Sequence, residues 1–162
     1  MNRPSPTVSP RFSLSAASLL LAACAAPPAP LPAPDPATEA VKAEIRQMYV
    51  DLSARDWEKF GAHFAADAVV IFKTRKGAVK VMTMKEFDAM TRKGVEGKPI
   101  YGEECDSLDV RVHRDLAHAW SHFRAKLGTA ENVATWSGID AYTLLRVDGA
   151  WKITAIAISE DE

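Results

Sequence analysis

Apolar residues recur at helical spacing from Thr38 to Leu52, through Val41, Ile45, Met48, Tyr49 and Leu52, and Asp35-Pro36 or Thr38 can open that helix. The run Ser53 to Asp56, SARD, reads as a capping box for a second helix with Trp57, Phe60, Phe64 and Gly61 along one face. Asp67 to Phe72 reads as a strand, Lys73 to Gly77 as a short basic turn, and a brief run follows to Met82. Thr83 to Glu86 is a second capping box, Met84, Phe87 and Met90 give its helix an apolar face, and Gly94 is placed to end it. The period then changes to two. Strands are expected over roughly Ser107–Val112 and Leu116–Leu127, with a turn at His113 to Asp115, and after a loop to Asn132 over Trp136–Arg146 and Trp151–Ser159.

The last two runs meet at Asp148-Gly149, the strongest short-range hairpin signal in the chain, with Gly149 supplying the positive φ of a tight turn. In Trp136–Arg146 neither set of alternate positions is purely polar, so this strand is expected to be covered on both sides. Asp140 and Tyr142 point the same way from its middle, which makes the hairpin the expected floor of a pocket. Helix, helix, strand, helix and then long antiparallel strands argue for an α+β domain with helices on one face of a bent sheet. Its roughly 120 residues can bury a core.

The chain has 162 residues, and its first 37 read as address and tether. Residues 1–23 hold Arg3 and Arg11, no acid, and an apolar run from Phe12 to Ala23 that is too short to span a membrane as a stable helix. The run ends in Leu21-Ala22-Ala23-Cys24, which resembles a bacterial lipoprotein signal with Cys24 as the lipidated new N-terminus. Ala25 after it resembles the sorting pattern for the outer membrane, which implies a lipid-anchored domain of the cell envelope facing the periplasm. The alternative is an ordinary signal peptide cut after Ala-x-Ala. Residues 24–37 are then a Pro/Ala-rich extended spacer, and 38–162 the folded domain. Without Arg3 and Arg11 the remainder carries 18 basic and 21 acidic residues, a net charge of −3, with no long basic run. Nucleic acid is therefore a poor partner. With Cys24 lipidated, Cys105 has no intrachain partner and reads as a small half-buried residue, a reactive thiol being the weaker alternative.

The element order, with ARDWEKFGAHFAADAVV in Ala54–Val70 and DGAWKI in Asp148–Ile153, resembles the nuclear transport factor 2-like superfamily, which includes SnoaL-like cyclases and ketosteroid isomerases. The resemblance covers Thr38 to Ser159 and implies a cone of helices on a strongly bent sheet. Such a cone hosts isomerases, dehydratases, ligand binders and plain dimerisation modules. Compared with the ketosteroid isomerases, which pair a general-base Asp with a Tyr and a protonated Asp that bind the oxyanion, Tyr49 lies where the oxyanion Tyr would lie and Asp140 where the protonated Asp falls. The base position holds Phe72, which takes no proton, so that reaction as the isomerases run it is not expected.

Two readings of Tyr49 and Asp140 stand at this point. They are ordinary core residues satisfying one another or a neighbour, or they orient a ligand carbonyl or phenol, in which case Asp140 is buried beside Tyr49 with a raised pKa. On the second reading Trp57, Phe60, Phe64, Phe72, Phe123 and Tyr142 wall a pocket for a small apolar or aromatic ligand, and no cofactor is implied. Other possibilities are a SnoaL-like or isomerase-like enzyme, with His63 and Asp67 as the candidates for its base, and a filled cone with an assembly role. His63 on the second helix reads first as a rim residue. His118 and His122, four positions apart on a strand, stand about 13 Å apart, too far for one metal ion. They share a face with Trp120 and Arg124, and that exposed semi-aromatic face is expected to pack on a second copy of the chain, as sheets of this superfamily commonly do. His113 to Leu116, HRDL, copies part of a kinase loop but stands alone and reads as a turn.

Overall fold

A computed structural model of the chain describes residues 35–74 and 76–161. The expected signal, Cys24 and most of the spacer lie outside the described residues. Helix α1 spans Pro36–Ser53, starting two residues before the expected Thr38, because the Asp35 carboxylate caps it by accepting from the Thr38 amide at 3.1 Å and Pro36 needs no donor in the first turn. Helix α2, Trp57–Ala62, is shorter than expected, and Phe64 already belongs to strand β1, Phe64–Lys73. The SARD capping box does not form. Asp56 caps α2 by accepting from the Lys59 amide, while the Ser53 hydroxyl turns the other way, to the backbone of Glu103.

Strand β2, Val79–Thr83, leads into α3, Met84–Val95, through the expected capping box: Thr83 Oγ1 accepts from the Glu86 amide and Glu86 Oε2 from the Thr83 amide. This helix passes through Gly94, and the positive φ falls on Gly97 instead, at 66°. Strand β3 is Ile100–His113, seven residues longer at its start than expected. Strands β4 (Leu116–Gly128), β5 (Val133–Val147) and β6 (Ala150–Glu160) lie where alternation placed them, with φ of 50° and 83° at Asp148 and Gly149 in the last turn.

One six-stranded sheet runs β2-β1-β6-β5-β4-β3, antiparallel except for the parallel pair β1 and β6. Register breaks at Cys105/Ser107, Thr143/Leu144 and Phe64/Val69 mark bulges, which bend strands locally. Its concave face carries α1, which lies against β3 and α2, while α3 lies against β1 and β2. The alternation in β4 fixes the two faces: Ala117, Ala119, Ser121, Phe123 and Ala125 are buried, and Trp120 is 59% exposed on the other side. Across the concave face one register row runs Phe72, Ile158, Asp140, Ser121, Leu108, from β1 to β3. Asp140 thus sits at the middle of the sheet, under α1.

Candidate functional site

Helix α1 turns Val41, Ile45, Met48 and Leu52 onto the sheet, and the same face carries Tyr49 inward to β5. Its hydroxyl donates to Asp140 Oδ2 at 2.6 Å. The Tyr142 hydroxyl lies 3.0 Å from that carboxylate oxygen and 2.9 Å from Tyr49 Oη, so its single proton serves one or the other. Ser121 on β4, the register partner of Asp140, lies 3.2 Å from Tyr49 Oη and 3.2 Å from Cys105 Sγ. The two tyrosine rings meet edge to face at 6.5 Å.

Asp140 is 6% exposed, and its second oxygen, Oδ1, is buried with no hydrogen-bond partner among the described residues. Burial lifts its carboxyl to about 6, against the hydrogen bonds from Tyr49 and Tyr142. Burial and then the charge of Asp140 push both phenols up, so at neutral pH they stay protonated and act as donors.

A second carboxyl enters from β3, in the segment that the apolar pattern left unassigned. Glu103 is held by its backbone, whose carbonyl accepts from Ser53 Oγ and whose amide donates to it, both at 2.8 Å. The Tyr101 hydroxyl donates to Glu103 Oε1 at 3.3 Å. Burial first, and the charge of Asp140 second, push Glu103 up to about 7. The signal for it was present in the sequence, since Glu103 and Cys105 share parity, but without apolar neighbours at period two nothing identified the strand.

The other expected site residues are placed differently. His63 is buried at the C-terminal cap of α2, with Nδ1 2.8 Å from Glu44 Oε1 and Nε2 2.9 Å from Asp51 Oδ2. Burial works against its charge, but the hydrogen bonds it donates to Glu44 and Asp51 outweigh it and raise its pKa. With both ring nitrogens engaged it is neither a rim residue nor a free base. Asp67 is exposed on β1 and makes no hydrogen bond to His63 among the described residues. Phe60 and Phe64 stack edge to face at 5.1 Å inside the core, and Phe123 is buried there too. Phe72 is half-buried at the end of the Asp140 row. Trp57 is half-buried against the core, edge to face with Phe60, and the Arg92 guanidinium lies 5.1 Å from its ring centroid.

Surface hollows among the described residues include two of similar size. One of about 480 Å³ runs beside Arg124, Lys126, Thr135 and Ser137, and one of about 460 Å³ is bordered by Arg55, Trp57, Arg92 and Lys93. Neither is bordered by Tyr49 or Asp140. No described helix is long and apolar enough to cross a membrane, and among the described residues no three His, Cys, Asp or Glu side chains gather as metal ligands.

A cone of this shape, with these elements in this order, invites comparison with known families, and a SnoaL-like domain matches residues 41–160. The chain belongs to the SnoaL-like family. Solved structures agree on the fold of this SnoaL-like chain. A protein of unknown function from Mycobacterium tuberculosis is 20% identical with a TM-score of 0.63, over 76% of this chain and 71% of its own. An NTF2-like protein from Cytophaga hutchinsonii is 14% identical with a TM-score of 0.61, over 76% and 97%. A putative calcium/calmodulin-dependent protein kinase II association domain from Xanthomonas campestris is 19% identical with a TM-score of 0.63, over 82% and 93%. No match to a curated protein was found. Likeness at these identities establishes the nuclear transport factor 2-like cone and carries no activity with it.

Proposed function

We propose that this SnoaL-like domain binds a small apolar or aromatic molecule through its carbonyl or phenol oxygen, on the concave face of the sheet at Tyr49, Asp140 and Tyr142. The observation that carries the reading is Asp140 Oδ1, a carboxyl oxygen buried at the middle of the sheet with no partner among the described residues. Leaving such a group unpaired costs about 1–3 kcal/mol. A ligand relieves that cost in either protonation state. The neutral acid donates from Oδ1 to a carbonyl while Oδ2 accepts from the tyrosines, and the carboxylate accepts a phenol proton. With the carboxyl near 6, both states are within reach of ordinary pH.

The proposal includes the site of action. The chain is held at the cell envelope by lipid on Cys24, facing the periplasm, and pairs with a second copy through the outer face of the sheet. Trp120 at 59%, Leu145 at 42% and Leu116 at 37% exposure support that pairing, because apolar surface in one place is costly on a monomer. Binding is tested by titrating 2-naphthol into the full-length protein. Tyr49→Phe and Asp140→Asn should each weaken binding about tenfold or more, the effect of losing one good hydrogen bond. Unchanged affinity in both variants refutes the assignment.

Glu103 favours one further reading, a SnoaL-like or isomerase-like enzyme. Phe72 removes the base that the ketosteroid isomerases use, yet a carboxyl near 7 on the same concave face, electrostatically coupled to Asp140, is poised to take a proton at neutral pH. Wild-type protein would then catalyse deuterium exchange into a cyclic enone, and Glu103→Gln would abolish it.

A further inference from the structure

The hollow of about 460 Å³ between the α1–α2 turn and the C-terminal end of α3 has a chemistry that neither the fold nor the Tyr49 cluster explains. Three cations from two separate elements converge on it, Arg55 from the turn and Arg92 and Lys93 from α3, against Glu96 as the one lining acid. The macrodipole accounts for cations in the last turn of α3. Arg55 reaches the hollow from the C-terminal end of α1, where its left-handed φ of 57° closes the helix: its amide donates to the Leu52 carbonyl and the Asp56 amide to the Asp51 carbonyl.

Both guanidiniums lie over aromatic rings, Arg92 at 5.1 Å from the centroid of Trp57 and Arg55 at 5.6 Å from that of Tyr101. Each spends only part of its donor set. Arg92 gives Nε to Asp88 at 2.8 Å, and Arg55 gives Nη2 to the Lys98 carbonyl, which leaves N–H groups on each without a partner among the described residues. Lys93 makes no ion pair among the described residues. Stacked guanidiniums with open edges are the usual receptor for a carboxylate, which takes two parallel N–H bonds in one plane.

We propose that this hollow binds a small aromatic carboxylate, its anionic group on Arg55, Arg92 and Lys93 and its ring beside Trp57. The Trp57 ring on the border of the hollow favours an organic acid with an apolar ring over a bare inorganic ion. The site is independent of the proposal for Asp140, from whose interior a second carboxylate would be repelled.

The test is isothermal titration of the full-length protein with 2-naphthoate and with naphthalene-2-carboxamide, its neutral counterpart, at low and at physiological salt. Naphthoate should bind, at least tenfold tighter than the amide, and should weaken as salt rises. Lys93→Gln, at an exposed position, and the pair Arg92→Gln with Lys93→Gln should weaken naphthoate stepwise, at least tenfold for the pair, with circular dichroism reporting that the fold is kept. Tyr49→Phe separates this site from the other one: naphthoate affinity that falls with Tyr49→Phe and ignores the α3 variants overturns the proposal. So does equal affinity for acid and amide, or no binding of naphthoate at all.

Discussion

Replacing Asp140 by Asn keeps the shape of the side chain and an acceptor for Tyr49 and Tyr142, but removes the charge, and the effect on stability should depend on pH in a defined way. Burial lifts the carboxyl from 3.8 to about 6, even against its two tyrosine hydrogen bonds. Between those values the folded chain keeps a proton that the unfolded chain has released. Wild-type stability therefore falls as pH rises through this window, by ~3 kcal/mol at about 1.4 kcal/mol per pH unit. The amide has no such dependence. Its N–H₂ group replaces the unpartnered Oδ1 and brings an unpaired donor, a cost of about 1–3 kcal/mol that is the same at every pH. The variant should be the less stable protein at pH 4, and the gap should move in its favour by ~3 kcal/mol by pH 8. Glu103 acts in the same direction, since the charge of Asp140 is the second cause of its raised value and the variant removes it. Urea unfolding of both full-length proteins at pH 4, 6 and 8 measures the gap. A gap constant to within about 0.5 kcal/mol, the scale of error in such extrapolations, would refute the claim that the buried carboxyl is held near 6 by desolvation.

His63→Ala leaves Glu44 and Asp51 facing each other without their bridge and should cost about 3–5 kcal/mol at pH 6, as for one partner of a buried ion pair. Because the folded pKa of His63 is raised, its contribution is full below about 6.5 and fades as pH rises through the folded value, so the gap read by urea unfolding should be smaller at pH 9; a gap that widens at pH 9 contradicts the bridge. Ser53→Ala strips both hydrogen bonds from the Glu103 backbone on the edge strand, and amide exchange at Glu103 should accelerate while that at Ile153 in the central β6 does not. Trp120→Lys should convert a dimer to a monomer in sedimentation at micromolar concentration, and a variant that stays dimeric removes the outer face as the contact.

Where local pattern and tertiary demand coincide, the fold is legible in the sequence. The β5–β6 hairpin shows alternation on both sides of Asp148-Gly149, and α1 and α3 show their caps and apolar faces, since a single element meets each requirement. What escaped depends on contacts between elements distant in sequence. The parallel pairing of β1 with β6 joins Val70 to Ile156, and no local signal encodes it. Ser53 looks like a helix cap until β3 is beside it, and the first half of β3 looks like a loop because Gly102, Glu103 and Glu104 break the apolar alternation. The site divides in the same way. Tyr49 and Asp140 could be paired from resemblance and the inward face of Ser121 follows from alternation, whereas Tyr101 and Glu103 join them only through the register of β3 and β4. His63 differs for a related reason: the acid near it in sequence is Asp67, but its partners in space are Glu44 and Asp51, about two turns apart on α1.

The polar interior itself bears on function. A SnoaL-like cone closes by burying the apolar faces of α1 and the sheet, and nothing in that packing requires an acid at Asp140 or at Glu103. Each of these carboxyls is raised by burial, which means that each destabilises the folded chain once pH exceeds its unfolded value. A methionine or leucine of similar volume would fill either position without that penalty. By contrast, the three charges of Glu44, Asp51 and His63 complement one another and the raised histidine stabilises the fold. The two clusters are similar in composition and opposite in energetic sign. One pairs its histidine with both acids and holds α1 against the end of α2; the other keeps an unpartnered oxygen at the centre of the sheet and loses its charge only by taking up protons or a partner from outside, which is the behaviour of a binding or catalytic site and not of a structural core.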